Sequence, residues 1–388
     1  MAQFRKVIFW LHLASGILAG IVIFIMCVTG ALLSFERQTI EYFERDARYV
    51  AVQPSAQKLT PQEIIEKVKL EKPNAKPTAL LTTNEPNAVW QVNLGGRDGW
   101  MFIDPYTGEV NGLGHSSVRN VMSELRNWHR YVALSGGARD AGKAITGVSN
   151  ILFLFLAISG IYIWFPRNLT WKAIRPVMWF KRGTRGKARN FNWHNTIGFW
   201  TSLFLIVFTL TATVISYQWA GNLLYTITGN EVPAPSGGGQ QQGQQDKPYE
   251  FPADVDGAWS AARAQSPTWK SISMRMPVEK SEAVFTIDEG IYWNIFGRST
   301  LTFDTNAAAV KKWEPYGDQN GGRQLRSWFR FTHTGETGGI VGQIIGFIAC
   351  VGGAFLVWTG FSLALRRFGN WRKRRSGGDI IDAETVLE

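Results

Sequence analysis

NFNWHNTIGFWTSLFLIVFTLTATVISYQW, residues 190 to 219, repeats the first hydrophobic segment of the same chain without a gap. Subtracting 182 aligns them: His194 falls on His12, Gly198 on Gly16, Thr211 on Thr29 and Ser216 on Ser34. Polar and small positions of one apolar helix therefore recur in another. A second register, offset by 200, links Asp104 to Asp304, Val110 to Val310, LRNW at Leu125 to LRSW at Leu325, Gly142 to Gly342, and Ser159-Gly160 to Thr359-Gly360. Each half thus reads as helix, intervening segment, helix. The 16-residue run from Pro233 to Pro248, PAPSGGGQQQGQQDKP, nearly accounts for the difference between the offsets and reads as a linker.

Four stretches carry no charge: Val7 to Phe35, Ala144 to Phe165, Phe191 to Tyr217 and Thr337 to Leu365. The shortest, at 22 residues, spans about 33 Å as a helix, enough for a bilayer core of about 30 Å. The fold expected is an α-helical integral membrane protein with four transmembrane helices in two tandem repeats, plus two small α+β modules.

The formal net charge is +11, which in a soluble protein would point to nucleic acid. Here the basic residues cluster beside the spans. Arg5 and Lys6 open the chain; Arg167, Lys172, Arg175, Lys181, Arg182, Arg185, Lys187 and Arg189 fill the middle connection; Arg366, Arg367, Arg372, Lys373, Arg374 and Arg375 follow the last span. This bias places both termini and the middle connection in the cytoplasm and the two long segments on the other face. No nucleic-acid partner is needed. The first span follows a basic start as a signal peptide would, but its length, His12 and its internal copy mark a retained anchor. Cys27 and Cys350 both fall inside spans, so the long segments have no disulfide, and there is no CxxCH for covalent haem.

The chain divides into a first span (1–36), a first module (37–124), a His-bearing segment with the second span (125–166), a basic loop (167–190), the third span (191–219), a second module (220–324, with the 233–248 linker), a His-bearing segment with the fourth span (325–366), and a tail (367–388). In the first module, LTPQEIIEKVKL at 59 to 70 predicts a helix capped by Thr60 with Pro61 at its first position. Strands follow at 88–93 and 100–104, and DPYTG at 104 to 108 supplies a tight turn. The second module repeats the order, with a helix at 258–264 and strands at 283–287, 291–296 and 301–304.

A helix followed by strands that end in DPYTGEV resembles the PepSY domain. Two such modules on four spans, with WLHLASG at 10 to 16, MFIDPYTGEV at 101 to 110, NWHRYVALSGGARDAG at 127 to 142, NWHNTIG at 192 to 198 and FTHTGETGG at 331 to 339, resemble the PepSY-associated transmembrane family over nearly the full chain. Within it the sequence looks closest to the FoxB-type inner-membrane ferric-siderophore reductases. That resemblance implies two haem b groups and a ferric-siderophore substrate.

The histidines give a separate reading. There are only five: His12, His115, His129, His194 and His333. Four sit at or near span ends, where an imidazole reads equally as a ligand or as an interfacial residue bonded to a headgroup or carbonyl. Topology sorts them into pairs, His12 with His194 near the cytoplasmic face and His129 with His333 near the outer face. Paired imidazoles from two helices can clamp a haem iron from both sides. Gly16 and Gly198, one turn after the inner pair, would admit a flat macrocycle. Arg5, Lys6, Lys187 and Arg189 inside, and Arg126, Arg130, Arg326 and Arg330 outside, either pair haem propionates or snorkel to headgroups.

His129 is the weak member, since it aligns with Phe329 and His333 with Ala133. A one-turn exchange on a helix would still aim both rings at one iron; on a loop, His129 would leave that iron five-coordinate or the haem absent. His115 reads as a surface residue. Zinc is disfavoured because no Cys, Asp or Glu supplements the pairs within the spans. Trp10, Trp128, Trp193, Trp328, Phe329 and Phe331 form an interfacial belt. Trp100, Tyr106, Trp293 and Trp313 are chelate-binding candidates that read first as module core.

No Rossmann or P-loop pattern is present, so electrons must come from a separate donor. The reading that follows is an oxidoreductase passing electrons outward to a ferric siderophore of the ferrioxamine kind, releasing ferrous iron. Two others stand beside it, a general di-haem carrier from quinol or a cytoplasmic donor to a periplasmic protein, and a non-enzymatic sensing or inhibitory membrane protein.

Overall fold

The computed structural model describes residues 2–95, 99–166, 170–233, 254–276, 281–292 and 294–385, with side chains between 3 and 372. Residues 234–248 of the linker, Arg167, Trp293 and the side chains of Lys373, Arg374 and Arg375 lie outside the described residues.

In chain order the elements are α1 (Ala2–Leu33), α2 (Glu36–Phe43), α3 (Arg45–Arg48), α4 (Pro61–Glu71), β1 (Ala79–Thr83), β2 (Trp90–Gly95), β3 (Gly99–Ile103), β4 (Val110–Leu113), α5 (Ser116–Tyr131), α6 (Arg139–Trp164), α7 (Trp171–Met178) and α8 (Gly186–Ser216). They continue with α9 (Gln218–Ile227), α10 (Val255–Gln265), β5 (Ser271–Arg275), β6 (Glu282–Asp288), β7 (Ser299–Asp304), β8 (Ala309–Glu314), α11 (Gly321–His333) and α12 (Gly339–Thr385). The chain forms two units. One gathers Met1–Phe35, Met122–Gly221 and Phe329–Glu388; the other gathers Glu36–Val121 and Asn222–Trp328.

The first unit contains four helices long and apolar enough to cross a membrane, α1, α6, α8 and α12. They pack as a ring in which α1 and α8 each touch α6 and α12. Small residues set the close approaches. A Cβ added at Gly353 of α12 would meet the Cys27 sulfur of α1 at 2.7 Å, and one at Gly30 of α1 would meet the Cys350 sulfur of α12 at 3.2 Å. This reciprocal pairing shows that the two helices run antiparallel. Polar contacts also lock neighbours: Asn150 on α6 donates to the Thr209 carbonyl and to Thr213 Oγ1 on α8, both at 3.0 Å. Such buried amides hold one arrangement where apolar packing alone discriminates poorly.

The short turns entering α6 and α12 depend on Gly142 and Gly342. A Cβ at Gly142 would fall 2.3 Å from the Tyr131 carbonyl oxygen, and one at Gly342 would fall 2.2 Å from that of Gly335. The backbone therefore folds tightly onto each helix start, as the 200-residue register had matched these positions.

The second unit is an eight-stranded antiparallel sheet, ordered β4-β3-β2-β1-β5-β6-β7-β8, with α4 and α10 contributing to one hydrophobic core. Two small α+β modules were expected, and the strands assigned to them share this sheet: β1 and β5 pair at its centre, with Leu80 opposite Met274 and both fully buried. Burying such a side chain contributes about 1.5–3 kcal/mol, which explains why two half-sheets with apolar edges merge. The strand expected at 291–296 does not form: among the described residues Gly290 takes a left-handed φ of 67° and the chain turns until β7 begins at Ser299. Helix α4 starts as its sequence requires. Thr60 Oγ1 accepts from the Glu63 amide, Glu63 reaches back to the Thr60 amide, and Pro61 opens the helix; such a cap contributes about 1 kcal/mol.

Candidate functional site

His12 sits on α1 and His194 on α8, while His129 and His333 lie in the last turns of α5 and α11. Seventeen residues separate His12 from Thr29, and seventeen separate His194 from Thr211. At 1.5 Å per residue both helices thus place the next polar level about 26 Å along.

Each imidazole makes the same kind of contact. His12 Nδ1 lies 2.8 Å from Ser159 Oγ on α6, and His194 Nδ1 lies 2.9 Å from Thr359 Oγ1 on α12. At the other level His129 Nδ1 lies 3.0 Å from Thr29 Oγ1 on α1, and His333 Nδ1 lies 3.3 Å from Thr211 Oγ1 and 3.0 Å from the Phe208 carbonyl on α8.

The direction of these bonds follows from the hydroxyls. Thr29 already donates its proton to the Ile25 carbonyl at 2.6 Å, Thr359 to Phe355 at 2.7 Å, Thr211 to Val207 and Phe208 at 2.9 Å, and Ser159 to Leu156 at 3.4 Å. A hydroxyl has one proton, so its oxygen accepts from the imidazole. For His333 the point is independent, because a carbonyl can only accept. His129, His194 and His333 are therefore Nδ1–H tautomers, with the basic lone pair on Nε2, whereas the long Ser159 bond leaves the His12 proton unassigned. Hydrogen bonding one ring nitrogen to fix the other as a metal ligand is the usual arrangement for ligating histidine.

His129 and His333 stand together, with ring centroids 6.3 Å apart and planes inclined by 50°. Two metal–imidazole bonds of about 2.0 Å in line, plus about 1.1 Å from each nitrogen to its ring centre, require about 6.2 Å. The spacing fits one metal atom between the rings. His12 and His194, on the opposed helices α1 and α8, lie near enough to interact electrostatically. Among the described residues no group of three or more His, Cys, Asp or Glu side chains could hold a metal ion. Each level offers two imidazoles.

The misalignment of His129 with His333 has a structural cause. Val132 and Ala133 take left-handed φ of 50° and 59°, ending α5 two residues after His129, whereas α11 continues to His333 and turns at Gly335. One helix stops early with its histidine a turn earlier, and the rings meet. Thr146 Oγ1 of α6 ties this end down by donating to the Arg130 carbonyl at 2.8 Å.

Gly16 and Gly198 look across to leucines on the neighbouring helices. A Cβ at Gly16 or Gly198 would meet Leu156 at 3.9 Å or Leu356 at 3.6 Å. The glycines that face imidazole Cε1 atoms are Gly160 against His12 (3.5 Å), Gly360 against His194 (3.6 Å) and Gly30 against His129 (3.2 Å). The sequence register contained Ser159-Gly160, Thr359-Gly360, Thr29 and Thr211 as matched positions, and that match was the only signal of their role.

Among the arginines, Arg5 donates to the Ile163 and Phe165 carbonyls at the end of α6, Arg189 lies 5.2 Å over Trp193, Arg130 lies 5.2 Å over Tyr131 and Arg330 lies 5.7 Å over Phe331. Desolvation, and then the charge of Arg130, hold the Arg126 guanidinium below its ordinary value. In the second unit exposed His115 accepts from the Val118 amide at the start of α5. Trp100 lies under Arg119, half-buried Tyr106 under Lys58, and Trp313 packs on the sheet core.

The family model of the PepSY-associated TM region matches residues 9–367. The chain belongs to the PepSY-associated TM family. The match encloses all four paired histidines, their hydroxyl partners and both halves of the sheet. No curated protein matches the chain. As a PepSY-associated TM protein it is a multi-pass membrane protein; among the described residues two of its long apolar helices, α1 and α8, carry His12 and His194, while His129 and His333 sit on the shorter α5 and α11.

Proposed function

We propose that the protein is a di-haem b-type reductase of the bacterial inner membrane, with cytoplasmic termini, which moves electrons outward to a ferric siderophore of the ferrioxamine kind. It is built as two tandem halves, each with one periplasmic PepSY-like module. The observation that carries this reading is the Nδ1 contact of each of four imidazoles with a Ser or Thr hydroxyl on a neighbouring helix, two of the rings standing 6.3 Å apart.

Ser159 and Thr359 hold His12 and His194, and Thr29 and Thr211 hold His129 and His333, each with Nε2 as the ligating atom. Arg126 and Arg130 repel one another beside His129, and an acidic propionate would relieve that repulsion. Between the levels Ala19, Ile23, Cys27, Leu205 and Ala349 are buried and keep water from the path. Haem b held by His12 with His194 and by His129 with His333 would supply one-electron transfer, and the chelate would be reduced across a gap rather than by ligation. One electron from a quinol or a cytoplasmic donor is consumed per ferric ion. Ferrous iron, with its lower charge, is held less tightly by hard oxygen donors and leaves.

The test has two steps. A pyridine haemochrome assay on the purified protein should give about two haem b per chain; a colourless protein ends the reading. Dithionite-reduced protein is then mixed with ferrioxamine, and reoxidation no faster than in buffer leaves a carrier but not this reductase.

A further inference from the structure

A cavity of about 400 Å³ opens in the second unit between the N-terminal approach to α4, the end of β1 and one side of α10. Its volume is in the range of small-molecule sites. Three indoles line it, those of Trp90, Trp259 and Trp269. Trp90 and Trp259 pack edge to face at 4.9 Å and are almost fully buried. Two cations stand at its rim, Lys58 and Arg263.

The charge balance there is incomplete. Lys58 donates to the Pro86 carbonyl at 2.9 Å, and Arg263 lies 5.9 Å over the Trp269 ring. No carboxylate pairs with either one among the described residues. The nearest acid, Asp256, already accepts from the Gln62 amide at 2.9 Å. Desolvation, and then the charge of Arg263, hold the Lys58 amine below its ordinary value, and desolvation does the same to Arg263. The two like charges act on one another, and the carboxylate of Asp256, which lines the same cavity, offsets part of the charge of Arg263. Trp259 Nε1 and Thr83 Oγ1, in residues that line the cavity, are buried and have no hydrogen-bond partner among the described residues.

We infer that this cavity binds a small organic carboxylate with a flat apolar body, the carboxylate held between Lys58 and Arg263 and the body against the indoles. A guanidinium fork matches a carboxylate in two parallel bonds, and an indole face accepts a flat ring. The site is separate from the paired histidines and does not depend on them.

The probes are nicotinate and nicotinamide, alike in shape and differing in charge, titrated by ligand-observed NMR against the full chain in lipid nanodiscs. Nicotinate should bind with a Kd of about 1 mM or tighter, and nicotinamide about tenfold more weakly. Lys58→Gln and Arg263→Gln should each weaken nicotinate about tenfold and leave nicotinamide unchanged. Lys58→Gln alters an exposed side chain and keeps the test decisive if the Arg263 variant fails to fold. No nicotinate binding by about 10 mM, equal affinity for the two probes, or unchanged affinity in both variants overturns the inference.

Discussion

Thr359 Oγ1 accepts a hydrogen bond from His194 Nδ1 at 2.9 Å while its own proton is committed to the Phe355 carbonyl one turn earlier. Helix geometry fixes the hydroxyl, and the hydroxyl fixes the ring. Replacing Thr359 by Val keeps the shape and removes the acceptor, so apparent haem affinity at this level should fall about tenfold, the low end for such supporting residues. Thr359→Ser should restore it. Haem titration of apoprotein, read at the Soret band, checks both.

The two levels are separately addressable. His12→Ala or His194→Ala should lower haem content from about two to about one per chain, and so should His129→Ala or His333→Ala. Pairing one variant from each level should give a colourless protein. Unchanged haem in either single set dissolves that level.

Gly30 and Gly160 grade the space beside the rings. A Cβ at Gly30 would crowd His129 Cε1 and the Cys350 sulfur at 3.2 Å, whereas one at Gly160 would meet His12 Cε1 at an ordinary 3.5 Å. Gly30→Ala should therefore distort the His129 level, costing about 1–3 kcal/mol of stability and shifting its low-spin EPR signal. Gly160→Ala should leave the His12 level's signal in place. Equal effects would show that packing against glycine does not set ring orientation.

Glu44 anchors the second unit. Its carboxylate is fully buried and takes bonds from Arg119, from Arg48 at 2.8 Å and from the His115 amide at 2.9 Å. Burial alone would raise this carboxyl, but the hydrogen bonds from Arg119, the His115 amide and Arg48 hold it below its ordinary value of 4.5. A carboxyl lowered on folding stabilises fully above its unfolded value and loses that contribution as pH falls through the folded one. Thermal stability should thus decline as pH drops below about 4.5, and Glu44→Gln should cost about 3 kcal/mol near neutrality and flatten that decline. Melting followed by limited proteolysis across pH would show a steep acid limb in both proteins if Glu44 plays no part.

The four spans and the cap at Thr60 were legible because each depends on local composition or on helical rise. A 22-residue uncharged run must span as a helix in lipid, where every backbone group needs an internal partner. The 17 residues between His12 and Thr29 must place them about 26 Å apart. Beyond that reach lay the turn at Gly290, which breaks an alternating pattern that otherwise reads as strand, and Gly30, Gly160 and Gly360, which face the imidazoles across helix interfaces.

The sequence by itself determined the apolar helices, their order and the residues with the right chemistry, since hydropathy, capping and periodicity act over a few turns. Only the tertiary structure decided that His129 meets His333 despite unmatched positions, that Thr29, Ser159, Thr211 and Thr359 contact the imidazole Nδ1 atoms, and that two half-sheets share one core. Those outcomes join segments separated by 100 residues or more, and they follow from where each helix ends and which edges pack, which no local pattern encodes.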